Sequence, residues 1–497
     1  MIHSYIASFD IGTTAIKGIL IDQNAETIGE LSYQLSTIHG IHGEMEQNPE
    51  DWWEGFVSIA KKWWNILGIE PESIKMITFS GQMEDVIPVT NHIEQQPNAI
   101  LYSDYRAKNE AEMINALFPE LSLSIGNGVS PSSPLAKIIW IGQHQKNMDQ
   151  QVHHFLFSSK DYVIYKLTNS IASDPITCAT TGMMNLISKT WDRRILTTFK
   201  MDFNRLPNIL FPDDIAGYVT KLASEKTGFL EGTPVLCGCG DAGATTMGAG
   251  AIREGDSYIY LGTTGWIAVP LELPVWRNVG VFNLPHLPKE KYISIAPLLN
   301  VGNVHQWAVE SFIGPEIENK YEMFETLVDN TEAGAGGLLF LPYLHGERCH
   351  IQDSDAKGAF WGIHPGIRKE HFLKSVIEGI CFSLRQTLEV LISNKDGNIA
   401  LIGGGTKSNA WCQCLADILG KTIRVSINSE FLPAIGAASS AFVKLGWSRS
   451  YEDFVDCYLR RQETKNYIPN AENYMIYSDL YDQFTKLYPS LKNVYQH

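Results

Sequence analysis

The sequence predicts an α/β protein built from two domains. At 497 residues the chain is longer than one hydrophobic core usually supports. Short apolar, β-branched runs end in glycine turns and lead into helical stretches. A strand, a Gly-Thr-Thr turn and a second strand occur twice, since Thr13 and Thr263 lie 250 residues apart, about half the chain. We therefore expect two domains, residues 1–250 and 251–497, that share a cleft.

The rest of the chain is organised around an apolar run that ends in a glycine turn with one acid, Asp241. Thr233 to Cys237 is typical of a short buried strand, and Ala242 to Ala251 of a closely packed helix. Free N–H groups and the helix dipole at such a corner keep a carboxylate ionised and fixed in direction. We expect Asp241 to be the catalytic base, with a plain helix N-cap as the alternative.

The same turn also matches a second pattern, the dinucleotide fingerprint Gly238-x-Gly240-x-x-Gly243. In that interpretation, Asp241 would face a pyrophosphate of like charge. The ribose-binding acid should follow about 20 residues later, but Tyr258 to Gly262 contains no acid. The sequence therefore disfavours a nicotinamide or flavin enzyme.

Charge and composition exclude several classes of partner. The net charge of −16 is offset by no basic block, which opposes nucleic acid or an anionic membrane as the main partner. The eight cysteines fit neither a disulfide framework nor paired zinc ligands. The N-terminus resembles no signal peptide, and no uncharged apolar run approaches about 18 residues. We expect a cytoplasmic protein that acts on a small molecule.

Near the N-terminus, Tyr5 to Phe9 and the residues up to Asp22 predict a strand, a tight turn and a second strand. The turn offers backbone N–H groups and two hydroxyls without bulk, which suits polyphosphate oxygens, and a lysine can add a point charge. An ordinary hairpin is the alternative. The candidate phosphate contacts are Gly12, Thr13, Thr14 and Lys17.

Two further segments carry polar side chains that fit a ligand site. A strand from Ile74 to Phe79 delivers Ser80 to Asp85 to its carboxyl end, where open α/β sheets place ligands. Farther on, Asp104 and Arg106 occur in a predicted loop. They either line a polar site or form a surface ion pair, and local sequence favours the pair.

The second half repeats the first turn and adds a third glycine cluster. Ser257 to Ala268 contains the turn residues Gly262, Thr263 and Thr264. One such turn is uninformative, whereas two in matching positions are a signal. Ile399 to Gln413 then predicts a strand, a glycine-rich turn and a helix, where a ribose or base can approach the backbone. A plain strand-to-helix turn is an equal alternative there.

Together these segments resemble the FGGY family of carbohydrate kinases, within the superfamily that holds actin, hexokinase and the heat-shock chaperone ATPases. The resemblance covers nearly the whole chain. Asp10 to Thr14 is similar to the family's first phosphate loop, Leu261 to Gly265 to its second, and Gly403 to Ser408 to its adenosine motif. Asp241 falls where the family has its catalytic aspartate.

The resemblance implies two actin-like, ribonuclease H-like domains with ATP and sugar in the cleft between them. Residues 1–250 would hold the sugar site, the first phosphate loop and the catalytic Asp, and residues 251–497 the second loop and the adenosine site. It also implies Mg²⁺ at Asp10, through water because magnesium keeps part of its hydration shell. The implied nucleotide contacts are Gly302, Gln306, Gly404, Gly405 and Asn409. The implied sugar contacts are Gln82, Met83, Glu84, Asp104 and Asp241.

Among members of the family, the xylulokinase branch is the most similar, through Gly81 to Met83, Ser103 to Arg106 and Leu401 to Gly420. The chain departs from that branch at Glu84-Asp85, where the branch usually has His-Gly. We expect a ketopentose such as D-xylulose, because a carboxylate accepts hydroxyl hydrogen bonds well.

Three alternatives stay open. Ser133 to Lys137 and Thr181 to Leu186 resemble the gluconate-kinase branch, although Glu84 would repel a sugar carboxylate unless it is protonated or paired. Another polyol or ketose kinase of the family is the second alternative. The most distant one is a non-catalytic ATP-binding protein of the actin superfamily. The oligomeric state is open, with a homodimer as one option.

Overall fold

Two seven-stranded sheets form the frame of the molecule. The computed structural model describes residues 4–495 except 42, 92–95, 277–279, 315–316, 393–396, 398 and 428. The strands of one sheet all precede residue 241, and those of the other all follow residue 256. The predicted division between residues 250 and 251 lies in the segment that joins them, and the boundary itself stays a prediction.

The elements are numbered in chain order. The strands before residue 250 are β1 (Tyr5–Ile11), β2 (Ala15–Asp22), β3 (Thr27–Gln34), β4 (Ile38–His39), β5 (Met45–Gln47), β6 (Ile74–Gly81), β7 (Ile87–Thr90), β8 (Ala99–Ile100), β9 (Val152–Leu156), β10 (Ala172–Ser173), β11 (Met184–Asn185), β12 (Thr190–Trp191), β13 (Asn208–Ile209), β14 (Ile215–Tyr218), β15 (Pro234–Leu236) and β16 (Cys239–Gly240). The helices there are α1 (Pro49–Asn65), α2 (Lys108–Leu117), α3 (Leu121–Ile125), α4 (Pro134–His144), α5 (Lys146–Asp149), α6 (Ser159–Thr168), α7 (Pro175–Ala179), α8 (Arg193–Thr198), α9 (Lys221–Thr227) and α10 (Asp241–Gly248).

The second half contains fewer but longer elements. Its strands are β17 (Ser257–Leu261), β18 (Gly265–Leu271), β19 (Phe282–Pro285), β20 (Tyr292–Leu298), β21 (Leu339–Leu341), β22 (Ala359–Trp361), β23 (Ile399–Ile402), β24 (Ile423–Ser426) and β25 (Thr464–Tyr467). Its helices are α11 (Gly302–Phe312), α12 (Lys320–Asp329), α13 (Lys369–Leu391), α14 (Asn409–Leu419), α15 (Leu432–Leu445), α16 (Tyr451–Cys457) and α17 (Ala471–Tyr495).

The two sheets repeat one topology, which confirms the internal repeat seen in the sequence. The first has the order β14-β15-β6-β1-β2-β3, with β16 also beside β6, and the second has the order β19-β20-β18-β17-β23-β24-β25. In each sheet, three consecutive antiparallel strands are followed by two parallel ones. The antiparallel strands are β3, β2 and β1 in the first sheet and β20, β18 and β17 in the second. The parallel strands are β6 and β15 in the first and β23 and β24 in the second. The Gly-Thr-Thr turns join the matching hairpins β1–β2 and β17–β18.

Helices α10 and α15 connect the two halves by direct backbone contact. A side chain at Gly436 of α15 would collide with the Ala244 carbonyl oxygen of α10, and one at Gly248 with the Leu432 carbonyl oxygen. Although α15 lies in the second half of the sequence, it packs on the first sheet, since Ser8 Oγ of β1 donates a 2.6 Å hydrogen bond to the Ala434 carbonyl. The junction is therefore a tightly packed helix pair.

Three expectations about composition can be compared with the structure. None of the helices in the described part of the chain is both long and apolar enough to cross a bilayer. All eight cysteines are free thiols, and seven of them are buried. Within the described ranges, no cluster of at least three His, Cys, Asp or Glu side chains could hold a metal ion.

Candidate active site

Asp241 is the first residue of α10 and lies directly beyond β16. Gly240 is the N-cap of this helix, so the interpretation of Asp241 as a plain N-cap is wrong. Burial and the negative charge of Asp10 raise the pKa of Asp241 to about 7, against a hydrogen bond from the Ala242 N–H that lowers it. Asp241 thus combines a fixed position with a pKa suited to proton transfer near neutral pH.

Asp10, near the end of β1, lies close enough to Asp241 for the two charges to interact. Burial raises the pKa of Asp10, while a 2.8 Å hydrogen bond from Ser80 Oγ and the charge of Lys17 lower it. When two neighbouring acids have raised pKa values, a nearby cation stabilises their ionised forms. Because Mg²⁺ commonly binds one or two carboxylates together with phosphates and water, the pair fits this ion.

A buried ion cluster supports the turn before Asp241, and sequence reasoning missed it. Asp174 Oδ1 accepts a hydrogen bond from the Gly240 N–H at 3.3 Å, and its Oδ2 lies 3.0 Å from Lys160 Nζ. Lys160 also contacts Asp161 at 2.6 Å, and all three side chains are fully buried. Burial lowers the pKa of Lys160, but the two aspartates raise it more, to well above its usual value.

The first Gly-Thr-Thr turn is tied to the predicted sugar residue Gln82. Thr13 Oγ1 donates to Gln82 Oε1 at 2.6 Å, and Gln82 Nε2 donates to Gln47 Oε1 at 3.1 Å. Gln47 closes the ring, because its Nε2 donates to the Thr13 carbonyl at 2.7 Å. Lys17 lies on β2 and donates to the Glu430 carbonyl at 2.9 Å. The turn, Gln82 and Asp10 therefore share one edge of the first sheet.

Glu84 lies on the same side of the molecule and adopts a left-handed backbone conformation, with φ of 63°. Its carboxylate is hydrogen-bonded to Ser132, and its negative charge acts on Asp241. Burial raises the pKa of Glu84, whereas Ser132 and Lys137 lower it.

Lys137 is a fully buried cation beside this acidic group. Its Nζ donates to the carbonyls of Glu84 at 3.0 Å and Leu101 at 2.7 Å. Burial lowers the pKa of Lys137 to about 8, against the charges of Glu84 and Asp85. Burial likewise holds the pKa of Asp85 well above its usual value, and Asp85 Oδ2 has no hydrogen-bond partner among the described residues. Lys137 thus interacts with Glu84 and Asp85, and Asp85 in turn interacts with Asp241.

Asp104 and Arg106 form an ion pair, as local sequence predicts, but the pair is not at the surface. Arg106 Nη2 lies 2.6 Å from Asp104 Oδ2, and Asp104 is fully buried. Asp104 also accepts a 2.7 Å hydrogen bond from the Met45 N–H. Burial raises the pKa of Asp104, but Arg106 and Met45 lower it below its usual value. Met83, another predicted sugar contact, is also buried.

In the second half, the loop after β17 is held against the first turn of α11. The Gly302 N–H donates to the Gly262 carbonyl at 3.0 Å, and the Asn303 N–H donates to the Thr263 carbonyl at 2.9 Å. A side chain at position 302 would collide with the Gly262 carbonyl oxygen, so this position requires glycine. The predicted contacts Gly262, Thr263 and Gly302 therefore lie together, with Thr264 at the exposed tip.

The predicted adenosine motif lies against the same strand end. A Cβ added at Gly405 would lie 2.7 Å from Leu261 Cβ, which places the turn from Gly404 beside the second loop. Asn409 begins α14, and its Oδ1 accepts hydrogen bonds from Lys465 Nζ at 2.6 Å and Tyr467 Oη at 2.8 Å. Gln306 donates instead to Glu310 at 2.8 Å on α11. Among the described residues, no hydrogen bond joins Gln306 or Asn409 to the loops.

Comparison with known proteins shows the family to which the chain belongs. Residues 5–248 match the N-terminal domain of the FGGY family of carbohydrate kinases. Residues 257–445 match the C-terminal domain of the same family. The chain belongs to the FGGY family and is a sugar kinase, with two actin-like domains as predicted. The family's co-substrate is ATP, and the dinucleotide interpretation and the non-catalytic alternative are set aside.

The chain is similar over nearly its whole length to xylulose kinases and to a gluconate kinase. The chain is 30% identical to xylulose kinase of Bacillus subtilis (strain 168), over 99% of this chain and 98% of that one. Ligand-bound xylulose kinase from Lactobacillus acidophilus has a TM-score of 0.87 at 26% identity, covering 99% of each chain. Gluconate kinase from Lactobacillus acidophilus has a TM-score of 0.85 at 26% identity, covering 98% of each chain.

Proposed function

We propose that this sugar kinase transfers the γ-phosphoryl group of ATP to a hydroxyl of a ketopentose of the D-xylulose type. The observation that carries the proposal is Asp241, an acid with a pKa of about 7 at the start of α10, close to Asp10 and Glu84. A carboxylate in such a position can accept a hydroxyl proton near neutral pH. Cytoplasmic location and a homodimer stay predictions.

In the proposed mechanism, Asp241 accepts the proton of the sugar hydroxyl as its oxygen attacks the γ-phosphorus in line. Phosphoryl transfer depends chiefly on positioning and on stabilising charge in the transition state. The turns at Thr13 and Thr263 supply backbone N–H groups and hydroxyls for the phosphates. Gly302 and the turn at Gly404 and Gly405, beside the second loop, lie where an adenosine could bind.

Mg²⁺ is part of this proposal. Asp10 would hold the ion through water, close to Asp241, and Ser80 Oγ keeps the Asp10 carboxylate in position. The Ala242 N–H holds the Asp241 carboxylate in the same way. A bound Mg²⁺ neutralises phosphate charge during transfer.

The choice of sugar depends on the acids around Asp241. Glu84, Asp85 and Asp241 interact with one another, which favours a neutral polyhydroxyl substrate that donates hydrogen bonds. Gluconate is the second candidate, and the surroundings of Glu84 favour it. The buried Lys137 adds a positive charge, and burial raises the pKa of Glu84, so the repulsion of a sugar carboxylate is weaker than the sequence suggests.

A panel of sugars in a coupled ADP-release assay tests this function. We expect sugar-dependent ADP release, with kcat/KM higher for D-xylulose than for ribulose, glycerol or gluconate. A preference for gluconate would transfer the proposal to the second candidate. ATP hydrolysis that does not depend on any sugar would contradict sugar phosphorylation altogether.

Glu84→Gln separates the charge of this residue from its shape. We expect kcat/KM for the ketose to fall roughly 10-fold, because a hydrogen bond to a charged group is stronger than one to a neutral group. Gluconate turnover should rise, since the repelling charge is gone. Glu112→Gln, on an exposed position of α2, is the matched control. Unchanged selectivity in Glu84→Gln would show that Glu84 does not contact the sugar.

The pH dependence should follow from the raised pKa of Asp241. As a base, Asp241 must be deprotonated, so activity should be lost as the pH falls through about 7. The quantity to measure is kcat/KM, the rate constant at low substrate concentration, because its pH dependence reports ionisations of the free enzyme. A flat profile between pH 5.5 and 8, roughly the range over which such a group titrates, would contradict the assignment of Asp241.

A further inference from the structure

A small cavity lies where the two halves join, apart from the acids around Asp241. Its walls are the end of α10 at Gly248 to Gly250, the start of α15, one face of β23 and β24, and the segment from Leu459 to Thr464. The cavity volume is about 40 Å³. Because one water needs about 10–15 Å³ on this measure, the space suits a group of a few heavy atoms.

The lining is richer in donors than in acceptors. Alternation along β24 turns Arg424 and Ser426 toward the cavity, and Arg460 reaches it from the far wall. Ser257, at the start of β17, is buried and also lines the cavity, and its Oγ has no hydrogen-bond partner in the described part of the chain. A ligand with several acceptor atoms would satisfy these groups.

The charges around the cavity point the same way. Arg460 contacts Asp456 at 3.1 Å and lies 3.8 Å from Asp256, but Asp456 is also paired with Arg253. Arg424 is half-buried, and its guanidinium makes no hydrogen bond or ion pair with the described residues. Burial and the like charge of Arg460 lower the pKa of Arg424, against the charge of Asp256. Three arginines, Arg253, Arg424 and Arg460, thus share the two acids Asp256 and Asp456, which leaves an excess of positive charge at the cavity.

We propose that this junction cavity binds a phosphate-type oxyanion between Arg424 and Arg460, and that its occupancy regulates the kinase. Guanidinium groups bind phosphate through paired, charge-assisted hydrogen bonds. The volume fits free phosphate, or the phosphoryl group of a metabolite that enters from the cavity mouth. A nucleotide is too large to be enclosed.

The regulatory part of the proposal rests on the proposed function. Helix α10 begins at Asp241 and ends at Gly248 in the cavity wall, so one short helix connects the proposed catalytic base to the cavity. The opposite wall consists of strands from the second sheet. A ligand that contacts both halves changes the sugar KM unless it binds every domain arrangement equally well.

Calorimetric titration of inorganic phosphate into the full-length enzyme, without sugar or ATP, tests the site directly. We expect binding to weaken at least about 10-fold in Arg424→Gln and in Arg460→Gln, because each removes a charge-assisted contact. Arg449→Gln, whose side chain is 89% exposed and outside the cavity, is the matched control and should bind as the wild type does. Titration with glycerol 3-phosphate distinguishes the two sources of the phosphoryl group. Tighter binding than that of inorganic phosphate would indicate a phosphorylated metabolite, and weaker binding would indicate free phosphate.

Phosphate could instead bind at the first Gly-Thr-Thr turn, and Lys17→Met distinguishes this case. Binding that is lost in Lys17→Met but kept in Arg424→Gln would overturn the cavity site. In kinetic assays, phosphate should change the sugar KM of the wild type at least about twofold and leave that of Arg424→Gln unaffected. Binding at the cavity with no change in the sugar KM would overturn only the proposed regulation. The phosphate titrations of Arg424→Gln and Lys17→Met are made without sugar, so their results do not depend on which sugar is phosphorylated.

Discussion

Asp241→Asn should lower kcat roughly 100-fold or more, the usual scale for the loss of a general base. The replacement keeps the size of the side chain, so the start of α10 and the Gly240 N-cap should be undisturbed. It removes the proton acceptor and also a charge that adds to the effect of burial in raising the pKa of Asp85. The KM for ATP should change little, because Asp241 is not among the predicted nucleotide contacts.

The measurement is steady-state kinetics with saturating ATP and sugar, together with ATP binding by calorimetry. Asp479→Asn, on the exposed side of α17, is the matched control and should keep wild-type kcat. Turnover within a fewfold of the wild type in Asp241→Asn would exclude Asp241 as the base. Equal loss of ATP binding and of kcat would instead make it a nucleotide contact.

Lys160→Met should destabilise the protein by about 3–5 kcal/mol, the second large effect that we expect. Lys160 is fully buried between Asp161 and Asp174, so its removal leaves two acids without their cation in a site that excludes water. Asp174 also accepts from the Gly240 N–H, and the turn before Asp241 should loosen as well. A lower kcat should therefore accompany the loss of stability.

Urea denaturation followed by tryptophan fluorescence measures this change, because the buried Trp52 and Trp63 of α1 report on the first half. Lys61→Met removes a lysine from an exposed position of the same helix and should change the free energy of unfolding by less than about 0.5 kcal/mol. If the unfolding midpoints of the two variants agree, the buried cluster contributes little to stability.

Local sequence predicted the parts of the site that are formed by neighbouring residues. The turns at Thr13 and Thr263, the corner at Asp241 and the turn at Gly404 all lie where a strand pattern changes to a hairpin or helix. Such changes are visible in the residue pattern because glycine and β-branched residues determine them locally. The repeat across 250 residues added the prediction of the second hairpin, β17–β18.

Contacts between distant residues could not be predicted in this way. Nothing near Lys160 in the sequence indicates that Asp174 joins it to Gly240, a residue 66 positions beyond Asp174. For the same reason, Asp104 and Arg106 were expected at the surface, although Asp104 is fully buried and bonded to the Met45 N–H of β5. Lys137 appeared only as part of a family resemblance, because its role depends on carbonyls of two other segments.

The packing of α15 on the first sheet has a consequence for how the chain is made. The hydrogen bond from Ser8 to Ala434 joins residues 426 positions apart. During synthesis, β1 and β6 would therefore leave the ribosome long before the helix that covers them. Contacts so distant along the chain form slowly, and an uncovered apolar sheet is prone to aggregate. The nascent first half should thus depend on chaperones until residue 445 has emerged, and its expression as a separate fragment should give mostly insoluble material.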